Sequence, residues 1–243
     1  MFTDDLIQLA NNIWKIKNVQ ISLDGMCEVH ETRKNYINYS PSFDKTIKVI
    51  SSLLYNNMNV SLRLNYDKDN INSIISLIHF IKDKFGKYST LKCYAYPLFS
   101  NGSDAYEYIN TDYEVKKYEN IIKDNLLECG FIDYTKMPQM RTNSCFATNP
   151  YSYVINANGD LYKCSLNMSP KEQIGNVTSR MMASDIIMKW CNPILPQECN
   201  NCIILPICQG GCRANNVLSL NQPYCNIKLN AIDWALTKIL TKH

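Results

Sequence analysis

Apolar and polar positions in the first half of the chain alternate between helical and strand periods. Thr3–Ile16 places Leu6, Ile7, Leu9, Ala10, Ile13 and Trp14 on one side of a helix. Val19–Leu23 is a short apolar run that stops at the turn dipeptide Asp24-Gly25. Ser42 followed by Phe43–Tyr55 predicts a capped helix, and Val60–Asn65 the next strand. Asp69 or Asn70 can cap a third helix that runs to Phe85 and stops at Gly86. Leu91–Leu98 predicts a third strand, and Asp112–Cys129 a helix ending at Gly130. Strands and helices in this order, with short connections, predict an α/β fold of parallel βαβ units. Three such strands do not complete a sheet of this kind. Its strands are normally buried on both faces and close into a barrel or a wide open sheet. The expected remnant has an unpaired strand edge and an apolar inner face, so residues 1–130 should need a further segment or a partner chain to be well behaved.

After Gly130 the helical period fades and cysteines cluster with Gly, Pro and Asn. Tyr151–Ile155 and Asp160–Cys164 flank Asn158-Gly159, a strong hairpin signal. Met181–Trp190 and Ile227–Leu240 predict helices. The change of pattern divides the chain into 1–130 and 131–243.

Composition narrows the class. An apolar share of 46% and a charged share of 19% suit a globular protein with a real core. A net charge of +3, with Lys and Arg scattered among Asp and Glu, gives no nucleic-acid footprint. The acidic pair Asp4 and Asp5 and the shortness of the apolar runs argue against a signal peptide or membrane span. A cytoplasmic location is expected. In that reducing setting, 11 cysteines point to metal or redox chemistry rather than disulfides.

The cysteines carry the chemistry. CNNCIILPICQGGC supplies Cys199, Cys202, Cys208 and Cys212; Cys145 and Cys164 lie upstream and Cys225 downstream. Four thiolates suit zinc or an iron–sulfur cluster, and spacing within one CxxC does not separate the two. Gly210 and Gly211 let backbone pass close to inorganic sulfide. Cys27, Cys93, Cys129 and Cys191 read as ordinary thiols, Cys93 as part of the core.

The full set resembles the SPASM domain of radical S-adenosylmethionine (SAM) peptide and protein maturases, among them the anaerobic sulfatase maturases and ribosomal-peptide maturases. Cys145 is followed by Gly159, four residues and Cys164; CxxC, five residues, Cys, three residues, Cys follows; Cys225 closes the pattern. The family's IGN string stands at Ile174-Gly175-Asn176. The resemblance covers about 100 residues. It implies two auxiliary [4Fe–4S] clusters, one on Cys199, Cys202, Cys208 and Cys225, the other on Cys145, Cys164 and Cys212. A further family cysteine, six residues before Cys145, is replaced here by Gln139. Either Cys129 or Cys191 reaches in, or one iron is open; the open iron is the favoured expectation.

The first half is similar to the same family. VQISLDG at Val19–Gly25, with His30 and Arg33 beyond it, resembles the fourth barrel strand, and LRLNYDKDN at Leu62–Asn70 the fifth. The resemblance implies a partial radical SAM barrel of later strands, with Ser22, Arg33, Arg63 and Asn65 around the cofactor. Lys34 competes for the role of Arg33, because the family usually spaces its His and Arg one residue further apart. His30 and His79 are expected to be structural. The CxxxCxxC that holds the radical-generating cluster is absent; Cys208 and Cys212 have its first spacing, but residue 215 is Asn.

The implied activity is that of the C-terminal part of a truncated enzyme that modifies a peptide or protein. S-adenosylmethionine and a third cluster would belong to the full-length parent. Its partners would be that substrate, the missing N-terminal half or a partner chain, and an electron donor such as flavodoxin or ferredoxin, as in anaerobes. Sulfatase maturation is disfavoured, because that subset has an Asp where Ser165 stands. The alternatives are a non-catalytic cluster-bearing module that binds a substrate or leader peptide, and a zinc-stabilised interaction protein.

Overall fold

The structure, a computed structural model, describes residues 3–34, 41–98, 112–132, 145–165, 167–179, 182–192, 194–195, 197–214 and 225–241, with backbone alone at 112–115 and 225–228. The chain forms two compact units, Met1–Tyr134 and Thr135–His243.

In the first unit, parallel strands β1 (Asn18–Leu23), β2 (Asn59–Tyr66) and β3 (Leu91–Pro97) lie in the order β1-β2-β3. Helices α1 (Asp4–Asn12), α2 (Cys27–Arg33), α3 (Phe43–Tyr55), α4 (Ile71–Phe85) and α5 (Asp112–Glu128) accompany them. Alternate residues of β2 — Val60, Leu62, Leu64 and Tyr66 — are buried. They share one core with Ile47, Ile50 and Leu54 of α3, Ile74, Leu77, Ile78 and Ile81 of α4, and Leu126 of α5. That burial is what holds the sheet to its helices.

The opposite face is not the apolar surface the sequence suggested. Parallel register sets Gln20, Ser61 and Lys92 in one row and Ser22, Arg63 and Tyr94 in the next, with Asn65 beside Tyr96. The Tyr94 hydroxyl donates to Gln20 Oε1 at 2.8 Å, and the Arg63 guanidinium carbon lies 4.3 Å from the centre of the Tyr96 ring. Strands of period 2 can be apolar towards the helices and polar on the other side, and these are.

Several local expectations also change. α1 is shorter than predicted: Lys15 turns to φ 55°, leaving Ile13 67% and Trp14 52% exposed, while Ile7 and Ala10 alone are buried from α1. Ser42 does not cap α3 with its side chain. The Glu31 carboxylate does so from α2, accepting Ser42 N–H at 2.8 Å and Phe43 N–H at 2.6 Å, while the Ser42 hydroxyl donates to the Lys34 carbonyl. Asn70 occupies the N-cap position of α4 without capping it. Helix α2 itself has no clear period in CEVHETR and was not anticipated.

The second unit has a short antiparallel sheet of β4 (Val154–Ile155), β5 (Asp160–Tyr162) and β6 (Gly175–Asn176). Gly159 turns the hairpin at φ 81°, and Asn156 Oδ1 accepts the N–H groups of Asn158 and Asp160, each at 2.9 Å. Strand β6 is the IGN segment, paired with β5. Helices α6 (Ser184–Cys191), α7 (Leu205–Cys208) and α8 (Cys225–Leu240) follow. A small core of Ala147, Trp190 and Ala214 takes Cys164, Ile186 and Cys212 against it. Among the described residues no helix is long and apolar enough to cross a membrane.

Candidate functional site

Two constellations, one in each unit, carry chemistry. In the first unit it lies where β1 and β2 end. After Leu23 the chain must turn at once into α2, and Gly25 adopts φ 143° to do so; a Cβ there would lie 2.6 Å from Ser73 Oγ of α4. The turn fixes Asp24. Its Oδ1 accepts Asn65 Nδ2 at 2.8 Å and lies 3.3 Å from Lys34 Nζ, and its carbonyl accepts Asn70 Nδ2 at 2.8 Å. His30 Nδ1 accepts the Asp24 N–H at 3.3 Å, so that nitrogen carries no proton. Burial, and after it the Lys34 cation, hold the His30 pKa below its ordinary value.

After β2, Asp67 and Asn70 exchange bonds: Asp67 N–H donates to Asn70 Oδ1 at 2.9 Å and Asn70 N–H to Asp67 Oδ1 at 3.2 Å. The Asp67 carboxylate also takes both Arg33 Nη groups, at 2.7 and 3.0 Å. Arg33, expected beside the cofactor, is thus engaged with Asp67. Lys34 is the cation next to Ser22, donating to its carbonyl at 3.2 Å. Arg63 and Asn65 keep polar atoms in reserve. Arg63 Nε and Asn65 Oδ1 are both buried and, among the described residues, have no hydrogen-bond partner. An unpartnered donor and acceptor two residues apart on one strand face carry a desolvation penalty that a polar ligand would relieve. The site fits a ligand offering both an acceptor and a donor, as an amino acid's carboxylate and ammonium do. The sequence marks Asp24 as a turn residue and Asn70 as a cap but gives neither of them, nor Asp67, a place in the site, although D-x-x-N after a strand is a readable turn signal.

In the second unit, Cys199 ends a 3₁₀ turn at Gln197–Cys199, and Cys202 N–H donates to its carbonyl at 3.2 Å. The Cys202 carbonyl accepts Leu205 N–H, and α7 then carries the chain to Cys208. Gln209, Gly210 and Gly211 take φ of 52°, 78° and 83° in succession, reversing the chain before Cys212. The Cys199 thiol is held above its ordinary pKa by burial, with Cys202 and Cys208 adding to the effect. A buried thiol held protonated in this way is stabilised as the thiolate where a metal or cluster binds it.

Cys164 follows β5, and the next-door Lys163 is buried. Its ammonium donates to the carbonyls of Asn149 and Ser152, drawing this strand onto the segment after Cys145. Arg213, beside Cys212, donates to the carbonyls of Trp190, Lys189 and Asn192. Neither buried cation was singled out from the sequence. Cys225 opens α8, but its side chain, like Gln139, lies outside the described residues. Among the described residues no disulfide forms, and no three His, Cys, Asp or Glu side chains converge as they would on one metal ion. A four-iron cube takes one thiolate per iron, a wider arrangement than four ligands on one ion.

No protein-family model and no curated protein matches the sequence. Solved structures do. An anaerobic sulfatase-maturating enzyme with bound S-adenosylmethionine and the Cp18Cys peptide is 15% identical, with a TM-score of 0.69, over 99% of this chain and 73% of that one. A His-tagged form of the same enzyme with S-adenosylmethionine gives 15% and 0.67, over 99% and 69%. SuiB from Streptococcus suis bound to S-adenosylmethionine, a radical SAM maturase of ribosomal peptides, gives 15% and 0.54, over 90% and 60%. The chain therefore has, in part, the fold of the radical SAM enzymes with a SPASM domain; among the described residues its parallel sheet does not close into a barrel.

Proposed function

We propose that this chain is the later-strand and auxiliary-cluster portion of a radical SAM enzyme that modifies a peptide or protein. The single observation that carries the reading is the joining of this fold to seven cysteines in two-cluster spacing. Cys199, Cys202, Cys208 and Cys225 would hold one [4Fe–4S] cluster, and Cys145, Cys164 and Cys212 the other. Together with S-adenosylmethionine on an initiating cluster, these groups supply hydrogen abstraction and electron transfer when bound.

The remaining roles belong to this chain's own side chains. Arg63 and Asn65 offer a donor and an acceptor to the bound cofactor, and Ser22 lies in the same row as Arg63. Lys34 brings positive charge to that row for a carboxylate. Arg33 with Asp67, and Asp24 with Asn70, are positioning groups that fix the strand ends. Residues 1–130 and 131–243 are the corresponding barrel and SPASM domains. Ser165 offers no carboxylate where sulfatase maturases have one, so the reading stays at peptide modification in general.

One observation favours a second reading. CxxxCxxC does not occur among the 243 residues. The chain would then bind substrate and relay electrons for a motif supplied from elsewhere.

Anaerobic purification tests both against a zinc site. Brown protein with about eight iron and as much labile sulfide is expected, falling by about four in Cys199→Ser and in Cys145→Ser. Colourless, folded protein with stoichiometric zinc refutes both.

A further inference from the structure

We infer that Cys191 supplies the fourth thiolate of the cluster on Cys145, Cys164 and Cys212, closing it with protein ligands in place of the absent cysteine at position 139. This rests on the cluster reading above and deepens it. Two features bring Cys191 to that site. The Arg213 guanidinium accepts no choice of partner: it is fixed by the carbonyls of Lys189, Trp190 and Asn192, which bracket Cys191, while its own backbone follows Cys212 directly. The end of α6 is thereby tied to the Cys212 segment. The core of Ala147, Trp190 and Ala214 then repeats the pattern in space. Ala147 is two residues after Cys145, Trp190 precedes Cys191, Ala214 is two residues after Cys212, and Cys164 packs against the same three.

Cys129, the other candidate, is engaged in the first unit. It lies between α4 and α5 with its sulfur 3.5 Å from His79 Nδ1, and His79 Nε2 lies 3.0 Å from Asn125 Oδ1. Two buried cations beside a four-thiolate cube also answer its charge. A [4Fe–4S] core on four thiolates is anionic, and fixed positive groups in a low-dielectric surrounding stabilise it.

Thiol footprinting of the full, anaerobically reconstituted chain tests this without a variant. Cys191 is half-buried and open to a small alkylating reagent once the cluster is removed. With the cluster in place, mass spectrometry should find Cys191 protected together with Cys145, Cys164 and Cys212, while Cys27 labels equally with and without iron. Cys191→Ala adds a second readout: mild oxidation should turn the cluster on Cys145, Cys164 and Cys212 into a three-iron species, losing about one iron per chain, whereas wild type and Cys129→Ser hold theirs. Labelling of Cys191 at the same rate with and without iron overturns the assignment, as does a three-iron species in oxidised wild type. A wild-type chain that takes up no iron removes the cluster reading itself, an outcome separate from either.

Discussion

Arg33 and Asp67 allow the sharpest test of how the first unit is held, because the family resemblance gives Arg33 to the cofactor and the structure gives it to Asp67. The pair is bidentate, at 2.7 and 3.0 Å, with side chains 15% and 2% exposed. Hydrogen bonds to charged groups contribute about 1.5–3 kcal/mol, exposed ion pairs about 0–1, and breaking a buried pair costs about 3–5. Asp67 also accepts the N–H groups of Asp69 and Asn70, at 3.0 and 3.2 Å. Asp67→Ala therefore strands a cation and two backbone donors and should cost about 3 kcal/mol. Arg33→Ala leaves the carboxylate its two N–H partners and should cost less, about 2 kcal/mol. In the double variant the losses should not add, the coupling being about 1.5 kcal/mol. The assay is urea unfolding followed by far-ultraviolet circular dichroism, read as a change of midpoint at constant slope. An Arg33→Ala chain as stable as wild type, with no coupling to Asp67, refutes the reasoning and returns Arg33 to the cofactor.

Three further outcomes are expected. Gly25→Ala meets both the φ of 143° and Ser73 Oγ at 2.6 Å, so it should lower stability by more than about 1 kcal/mol; an unchanged urea midpoint contradicts the turn geometry. Glu172 accepts Trp190 Nε1 at 2.8 Å and pairs with Lys189 at 2.6 Å, so Glu172→Ala should cost about 1–3 kcal/mol and alter tryptophan fluorescence, and no change in either would contradict the buried bond. His30 is neutral in the fold, with its pKa depressed, so the unfolded chain binds a proton the fold does not. Stability should be complete above the ordinary histidine value of 6.5 and fall as pH drops below it, and His30→Gln should flatten that slope; an equally steep variant refutes the assignment.

Much of this was legible from the sequence where a period or a spacing has a single cause. Val60–Asn65 alternates because one side of β2 meets helices, and the seven-cysteine spacing was visible without any fold. The polar side of the sheet departs from the usual burial of parallel strands on both faces, and Ser61, Arg63 and Asn65 alternating with Val60, Leu62 and Leu64 are its trace in the sequence. Helix α2 was missed because its stability comes from contacts remote in sequence. Gly25 fits against Ser73, whose hydroxyl accepts the Met26 N–H, and Glu31 caps α3 rather than its own helix. Ser42 and Asn70 were read as caps by residue type, yet each side chain found stronger partners across the fold. The pairing of Arg33 with Asp67, 34 residues apart, leaves no local trace in sequence. Nor does the neighbourhood of Cys191, which depends on Arg213 gathering carbonyls from the end of α6.

Anomalous diffraction at the iron edge, from crystals of the anaerobically reconstituted chain, addresses the central claim most directly. Two compact iron centres are expected, one bounded by Cys199, Cys202, Cys208 and Cys225, the other by Cys145, Cys164 and Cys212. A single metal peak, a peak that appears at the zinc edge instead, or ordered cysteines with no iron between them would contradict it.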